Sequence, residues 1–511
     1  MKSVLKLGTR KSLLAWAQSS WVARELERLH AGLKVELVGI ETRGDKILDV
    51  SLQSVEGKEF FVAELDDALR AGRVDLTVHS MKDLSLDRPR EFKLAAIPKR
   101  ENPRDVILFS PEILNRLRQG KKIKIGTSSP RRLENIPEFL RRALPQRGAS
   151  EKSHSEPELE FLEIRGNVNT RLSRVRENES SEKYLDGVVL AFAGLIRLWA
   201  DEAGQKELRK LLTGVRWMIL PLKASPAAPA QGALAIECLA ADAAVLETLS
   251  TLHHTPTEAQ VSRERELLGR WGGGCHQKFG ATSIHHPECG DLFFVRGKKP
   301  DQDFVDELHW QAPAESVAGA AWDGNYWRAL EGKPPESVRT DLPDLSGQSI
   351  FIAHWRAVAS AEKLAHARVW TSGTMSWFKL AQMGVWVEGC AEGLGFDFLK
   401  PTLNEPVLSL PALTEWSVLT HDAAESGWQG SRVISTYRVN TQYPKAATQA
   451  LNQAENIFWS SGSQYDELKG EMSKHARSYC GPGKTAEHLR QNGMRPTVFP
   501  SVEEWRKWLK I

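Results

Sequence analysis

Arginine recurs wherever an apolar run gives way to a turn. Arg10 lies in Gly8-Thr9-Arg10-Lys11-Ser12, Arg131 and Arg132 follow Gly126-Thr127-Ser128-Ser129, and Arg165 sits in Ile164-Arg165-Gly166-Asn167. Arg171 ends Asn169-Thr170-Arg171, and Arg197 follows Ala193-Gly194-Leu195. In an α/β sheet the carboxyl ends of strands and the N-termini of helices open on one crevice. Free N–H groups and the helix dipole attract anions there. Guanidinium forks clamp carboxylate or phosphate. The set predicts a crevice for a polyanion, whereas any one of these arginines by itself reads more readily as a solvated surface charge.

A carboxylate shares that setting. Val78-His79-Ser80-Met81-Lys82-Asp83-Leu84 carries an apolar strand straight into polar groups and places Asp83 at its end beside Lys82. Such a group can stabilise a developing cation or accept and return a proton. A helix N-cap or an ion pair is the plainer use of it. A thiol follows later, in Trp271-Gly272-Gly273-Gly274-Cys275-His276. Three glycines hold Cys275 on a loop without side-chain bulk, open to a large adduct, as a nucleophile or covalent anchor. Cys275 also reads as a free thiol, or, with His276, His285, His286 and Cys289, as a zinc set whose spacing fits no common finger. Lys58, after Gly57, is a crevice lysine or a surface one, and His253-His254 before a helix read as structural.

These side chains need strands that end together. Residues 4–7 and 34–40 read as short strands around a helix over 12–29, in which Leu14, Val22, Leu26 and Leu29 recur at helical spacing. A helix over 60–71 and a strand over 74–79 follow, and strands recur at 122–126, 160–164 and 187–191. This alternation predicts α/β layers with mainly parallel strands. It is read as two α/β domains, with one crossing near 98–104 and a second, rich in Pro and Ala, over 222–231. Residues 147–159 read as an exposed loop. Residues 232–238 open a smaller unit, with a helix over 257–270 leading to the glycine run and a strand over 290–299. A polar linker at 334–347 introduces a Trp-rich C-terminal α/β unit, with strands at 348–353, 367–371, 431–435, 456–460 and 475–480.

The length of 511 residues leaves room for roughly three or four domains of about 150 residues each. Lys and Arg total 68 against 65 Asp and Glu, so a net charge of +3 gives no global reason to expect nucleic acid or a membrane surface as partner. No stretch reaches the roughly 18 apolar residues of a spanning helix. The first residues lack a signal-peptide pattern. Five cysteines in so long a chain make no disulfide framework, and a cytoplasmic monomer is expected.

The ordered motifs resemble porphobilinogen deaminase (hydroxymethylbilane synthase) over residues 1–300. They are Thr9-Arg10-Lys11-Ser12, Thr42-Arg43-Gly44-Asp45, His79-Ser80-Met81-Lys82-Asp83, Gly126-Thr127-Ser128-Ser129 with Arg131-Arg132, and Arg165-Gly166-Asn167-Val168 with Thr170-Arg171-Leu172. Gln231-Gly232-Ala233 with Ile236-Glu237-Cys238, then Gly273-Gly274-Cys275, complete the set. The resemblance implies head-to-tail condensation of four porphobilinogen molecules, with loss of ammonia, to hydroxymethylbilane. It implies a dipyrromethane cofactor thioether-linked to Cys275 and contacted by Ser80, Lys82, Asp83, Thr127, Ser128, Ser129, Arg131 and Arg132. Asp83 would be catalytic, stabilising a cationic azafulvene-type intermediate. Arg10, Ser12, Lys58, Arg165, Arg171 and Arg197 would bind the acetate and propionate groups of the substrate, and no metal is implied.

The implied fold is α/β. Two periplasmic-binding-protein-like domains span 1–102 (with a return segment near 213–224) and 103–212, and a small α+β domain at 225–335 carries the cofactor cysteine. Departures from the family pattern are Ser54 for a lysine, Leu84-Ser85 after Asp83, Pro130 before Arg131, an insertion at 143–159 and His276-Gln277-Lys278 after Cys275. Residues 346–511 form a further α/β domain. Its Val369-Trp370-Thr371-Ser372-Gly373, Phe458-Trp459-Ser460-Ser461-Gly462 and Cys480-Gly481-Pro482-Gly483-Lys484-Thr485 are similar to part of uroporphyrinogen-III synthase. A different class remains open on the same residues: a non-enzymatic two-domain binding protein for an anionic small molecule, which would need neither Cys275 nor Asp83.

Overall fold

The computed structural model describes residues 2–42, 62–146, 156–274, 277–301, 303–314, 318–323, 336–339, 342–422, 428, 430–440 and 443–511. Cys275, His276, Lys58, Ser54 and residues 43–45 lie outside them. The chain forms two units: residues 1–141 with 157–284 and 293–308, and residues 142–156 with 285–292 and 309–511.

The first unit begins with β1 (Val4–Arg10), β2 (Lys34–Ile40), β3 (Leu76–Ser80) and β4 (Phe92–Ala96). It crosses to β5 (Asp105–Phe109), β6 (Ile123–Gly126), β7 (Leu159–Leu162), β8 (Gly187–Ala191) and β9 (Arg216–Ile219), then returns as β10 (Leu234–Leu239). One sheet has the order β2-β1-β3-β10-β4 and the other β7-β6-β8-β5-β9. The helix Leu13–Leu29 starts where the Ser12 hydroxyl accepts from the N–H of Ala15, and it buries Val22 and Leu26 on the first sheet with Leu5, Leu7, Leu76 and Ile236. β11 (Phe279–His286), β12 (Gly290–Lys298) and β13 (Phe304–His309) form a third, small sheet, whose hairpin tip 285–292 groups with the second unit.

Two features depart from expectation. The run 232–238 supplies β10 of the first sheet rather than the small sheet, and each large sheet, though four of its five strands run in parallel, carries one reversed strand. β1 pairs in parallel with β2 and β3, but β10 lies antiparallel between β3 and β4. In the second sheet β6 is parallel to β7 and β8, while β5 is antiparallel to β8 and β9. Each odd strand follows a crossing. A chain that enters a sheet from the neighbouring domain arrives from the other end, and strand composition does not encode that direction.

Both crossings are locked by one buried group. Glu264, 0% exposed on the helix Thr255–Arg270, accepts from Arg100 Nη1 at 2.6 Å and Nη2 at 3.0 Å. It also accepts from the backbone N–H of Ala230 at 2.6 Å and of Ser283 at 2.7 Å. Gly232 sits beside this knot at φ +88°, where a Cβ would lie 2.5 Å from the carbonyl oxygen of Glu101.

The second unit contains β14 (Ala321–Asp323), β15 (Glu336–Arg339), β16 (Ser349–Ile352), β17 (Arg368–Thr371), β18 (Val387–Cys390), β19 (Ser417–His421), β20 (Arg432–Asn440), β21 (Asn456–Trp459), β22 (Arg477–Cys480) and β23 (Thr497–Val498). They form two sheets, β15-β20-β19-β16-β17-β18 and β14-β21-β22-β23, parallel throughout except for β15 against β20. The frequent tryptophans are core: Trp322, Trp370, Trp377, Trp416, Trp459 and Trp505 are each under 2% exposed. Removing the charge of Glu264 strands a buried guanidinium, so Glu264→Gln should lower stability by about 3 kcal/mol in chemical denaturation.

Candidate active site: an arginine cluster beside the Asp83 turn

β3 ends in a 3-10 turn, Met81–Asp83, that presents Lys82 and Asp83. Arg265 clamps this turn from the helix Thr255–Arg270, donating from Nη1 to the carbonyls of Met81 (3.0 Å) and Leu84 (3.1 Å) and from Nη2 to that of Ser85 (2.8 Å). The same helix ends at Trp271, stacked edge-on against Phe279 with ring centroids 4.5 Å apart. Gly272, Gly273 and Gly274 follow at φ +91°, +63° and +97°, conformations that L side chains rarely adopt. Gln277 Nε2 donates to the carbonyl of Gly273 at 3.0 Å. One helix therefore braces the Asp83 turn and leads into the cysteine loop.

Opposite lies an ion cluster. Asp105, 0% exposed at the start of β5, receives Arg131 Nη2 on Oδ2 at 2.8 Å and Arg132 Nη2 on Oδ1 at 2.8 Å. Arg131 Nη1 also donates to the carbonyl of Pro226 at 2.7 Å, and Arg132 Nη1 to that of Val189 at 2.9 Å. Burial pushes the Asp105 carboxyl up, but the two guanidiniums outweigh it and hold it well below the usual carboxylate range. Gln231 Nε2 donates to Asp105 Oδ1 at 2.9 Å, and Gln231 Oε1 accepts from Lys82 Nζ at 3.2 Å. Pro130, unusual for the motif, is the first residue of the helix Pro130–Ala143, where its missing N–H costs nothing.

The sequence-predicted residues converge in large part. Burial lowers the Lys82 ammonium, with Asp83 and Asp105 opposing and Arg132 and Arg131 adding to the fall. Burial pushes Arg171 down to about 10, with Arg132 and Arg165 adding and Asp83 opposing. Lys82, Asp83, Arg131, Arg132, Arg165 and Arg171 thus share one electrostatic neighbourhood. Asp83 is exposed, and no hydrogen bond or ion pair engages its carboxylate among the described residues. Arg197 is pushed down to about 10 by burial, against Glu101, and donates to the carbonyl of Gly232 at 2.6 Å. Arg10 stands near His79 and helps to lower it.

The hydroxyls are engaged locally. Ser80 Oγ accepts from Gln18 Nε2 at 3.0 Å, Thr127 Oγ1 from the N–H of Ser129 at 3.3 Å, and Ser128 Oγ from the N–H of Ile164 at 3.2 Å. Ser129 receives the helix N–H of Leu133 on its carbonyl. Ser12 caps the first helix. His254 caps the helix Thr255–Arg270, and His286, in the second unit, has Nδ1 accepting from the N–H groups of Glu288 and Cys289 and Nε2 against the carbonyl of Leu394. Asp105, Gln231 and Arg265 are site residues that sequence reasoning missed. Only Gln231 carried a signal, as part of the Gln231-Gly232-Ala233 motif.

A protein-family profile described as "Porphobilinogen deaminase, dipyromethane cofactor binding domain" matches residues 5–247. The porphobilinogen deaminase of Trichlorobacter lovleyi is 39% identical over 293 residues, which are 57% of this chain and 82% of that protein. That of Geobacter sulfurreducens is 39% identical over 319 residues, 62% of this chain and 87% of that protein. The chain belongs to the porphobilinogen deaminase family. Its N-terminal part is thereby an enzyme of tetrapyrrole synthesis, built around a dipyrromethane-binding domain. Among solved structures, the methionine binding protein MetQ is 12% identical over 52% of this chain and 95% of that one, at a TM-score of 0.26, too slight a likeness to bear on the fold. Among the described residues no helix is long and apolar enough to cross a membrane.

The residues present fit the family's cofactor. The Nε–H of Arg131 is buried without an acceptor, a state that costs about 1–3 kcal/mol, and the cationic cluster around it suits a group bearing several carboxylates. Behind the site, burial together with Arg88 and Arg10 pushes His79 down to about 3. His79 is therefore neutral when folded but protonates when unfolded below about pH 6.5. The unfolded state then binds more protons, so stability should fall as pH drops from about 6.5 towards 3. Replacing His79 with Gln should flatten that limb, as read by denaturation midpoints across the range.

Proposed function

We propose that this chain condenses four porphobilinogen molecules head to tail, releasing ammonia at each step, to give hydroxymethylbilane. The observation that supports this reading most is that Lys82, tied through Gln231 to Asp105 and its two arginines Arg131 and Arg132, stands on the turn that presents Asp83, whose carboxylate has no hydrogen bond or ion pair among the described residues. Each pyrrole unit brings an acetate and a propionate, so a growing chain needs cations at intervals along its path. Cys275 would hold dipyrromethane through a thioether, Lys82, Arg131 and Arg132 would bind its carboxylates, and the group would supply the pyrrole carbon from which growth starts. Thr127, Ser128, Ser129 and Ser80 line the same strand ends.

The remaining chemistry belongs to this chain's own side chains. Arg10, Ser12, Lys58, Arg165, Arg171 and Arg197 bind and orient the acetate and propionate of incoming porphobilinogen. The Asp83 carboxylate stabilises the azafulvene-type cation left when the amine of porphobilinogen departs as ammonia. It then takes the proton displaced from the pyrrole carbon as the new carbon–carbon bond forms. A purely non-enzymatic binder would need neither Asp83 nor Cys275.

In the same proposal residues 346–511 act as a uroporphyrinogen-III synthase-like domain that closes the linear product with inversion of its last ring. Support comes from two parallel sheets whose Ser372-Gly373, Ser461-Gly462 and Gly481-Pro482-Gly483 turns follow β17, β21 and β22 at their carboxyl ends.

Three outcomes are expected. The purified chain carries an adduct of two pyrrole units by intact mass, and Cys275→Ser lacks it. Asp83→Asn keeps the adduct but loses about 10²–10⁴-fold in kcat, the range for a positioned proton-transfer group. Incubation with porphobilinogen yields the type III isomer, and uroporphyrinogen I alone would sink the proposal for the C-terminal unit.

A further inference from the structure

We propose that Gln231 is a positioning residue that fixes the ammonium of Lys82, at the end of the first sheet, against the Asp105–Arg131–Arg132 cluster at the start of the second. The inference rests on the reading of this crevice as the deaminase site. Gln231 is 1% exposed and follows directly on the second crossing. Its Nε2 donates to the carbonyl of Pro103 at 2.7 Å and to Asp105 Oδ1 at 2.9 Å, and its Oε1 accepts from Lys82 Nζ at 3.2 Å. Its own carbonyl receives Arg100 Nε at 2.7 Å, and its N–H donates to the carbonyl of Ala228 at 2.9 Å. With the side chain engaged at both ends, Gln231 has little freedom to move independently of the knot around it.

The residue type matters. A neutral amide can accept from an ammonium and donate to a carboxylate at the same time; a carboxylate or an ammonium in its place would lose one of the two. The amide stands between Lys82 and Asp105, opposite charges that would otherwise attract each other. By separating them it leaves Asp105 to the two arginines and leaves Lys82 beside Asp83. The groups facing Lys82 are Asp83 on its own turn, Arg131 and Arg132 on the helix Pro130–Ala143, and Asp105 on β5. In that company the amide oxygen is the neutral acceptor that favours the charged form of Lys82.

Two variants of the full chain move Lys82 in opposite directions. Gln231→Met removes the acceptor, so Lys82 should lose its proton at a pH lower by roughly one unit. Gln231→Glu places a carboxylate on the ammonium and should raise it by a similar amount. The readout is the pH dependence of Lys82 modification by an amine-acylating reagent, followed by peptide mass spectrometry, with and without the Cys275→Ser change. Gln231→Met should also keep the adduct mass yet lose about tenfold in kcat, the usual effect of one hydrogen bond to a charged group. Lys82 titrating alike in the parent and both variants, or moving the same way in both, overturns the proposal. An adduct missing from the parent chain would instead overturn the deaminase reading, and the labelling result would still decide the role of Gln231.

Discussion

A single buried carboxylate carries the site. Two guanidiniums held side by side, as in Arg131 and Arg132, repel by about 4 kcal/mol at 4 Å in a protein-like medium. Asp105 accepts from both and offsets that repulsion, so the pair can stay buried and fixed in direction. The sum remains one net positive charge, and Lys82 and Arg171, both of which feel Asp83 and Arg132, add to it. A cationic wall built in this way is rigid before any ligand arrives. That preorganisation is what electrostatic catalysis requires, because dipoles and charges already in place cost nothing to reorient during reaction.

The helix Thr255–Arg270 extends the same logic through the fold. Glu264 ties both crossings between the two large sheets to this helix, and the next residue, Arg265, holds the Asp83 turn by three carbonyls. The helix then gives way to three glycines at positive φ, Gly272, Gly273 and Gly274. The brace of the Asp83 turn and the glycine run that precedes Cys275 come from adjacent stretches of sequence.

Much of this was legible in the sequence, and the gaps have physical causes. β2 coincides with its expected range, and the helix over 12–29 is found as Leu13–Leu29, because helical and strand periodicities are local. The arginines at strand ends were readable as a polyanion site because each motif repeats one local geometry. Their partner was not. Asp105 follows Pro103-Arg104 and looks like any acidic residue in a loop, and only the antiparallel entry of β5 brings it beneath the helix Pro130–Ala143. The reversed strands β5 and β10 escaped for the same reason, since direction is set by where the chain crosses and not by composition. Arg265 was hidden among the neighbouring charges Arg263, Glu264 and Glu266 on a helix whose hydrophobic pattern says little about which of them turns inward.

On the proposed function, a covalently held, carboxylate-bearing chain grows against a fixed cationic wall and past one acidic group. The most direct test is the intact mass of the full chain as limiting porphobilinogen is added. The expected result is a ladder of protein masses separated by a constant step of one deaminated pyrrole unit. A protein mass that never changes while oligopyrroles accumulate free in solution would contradict the account.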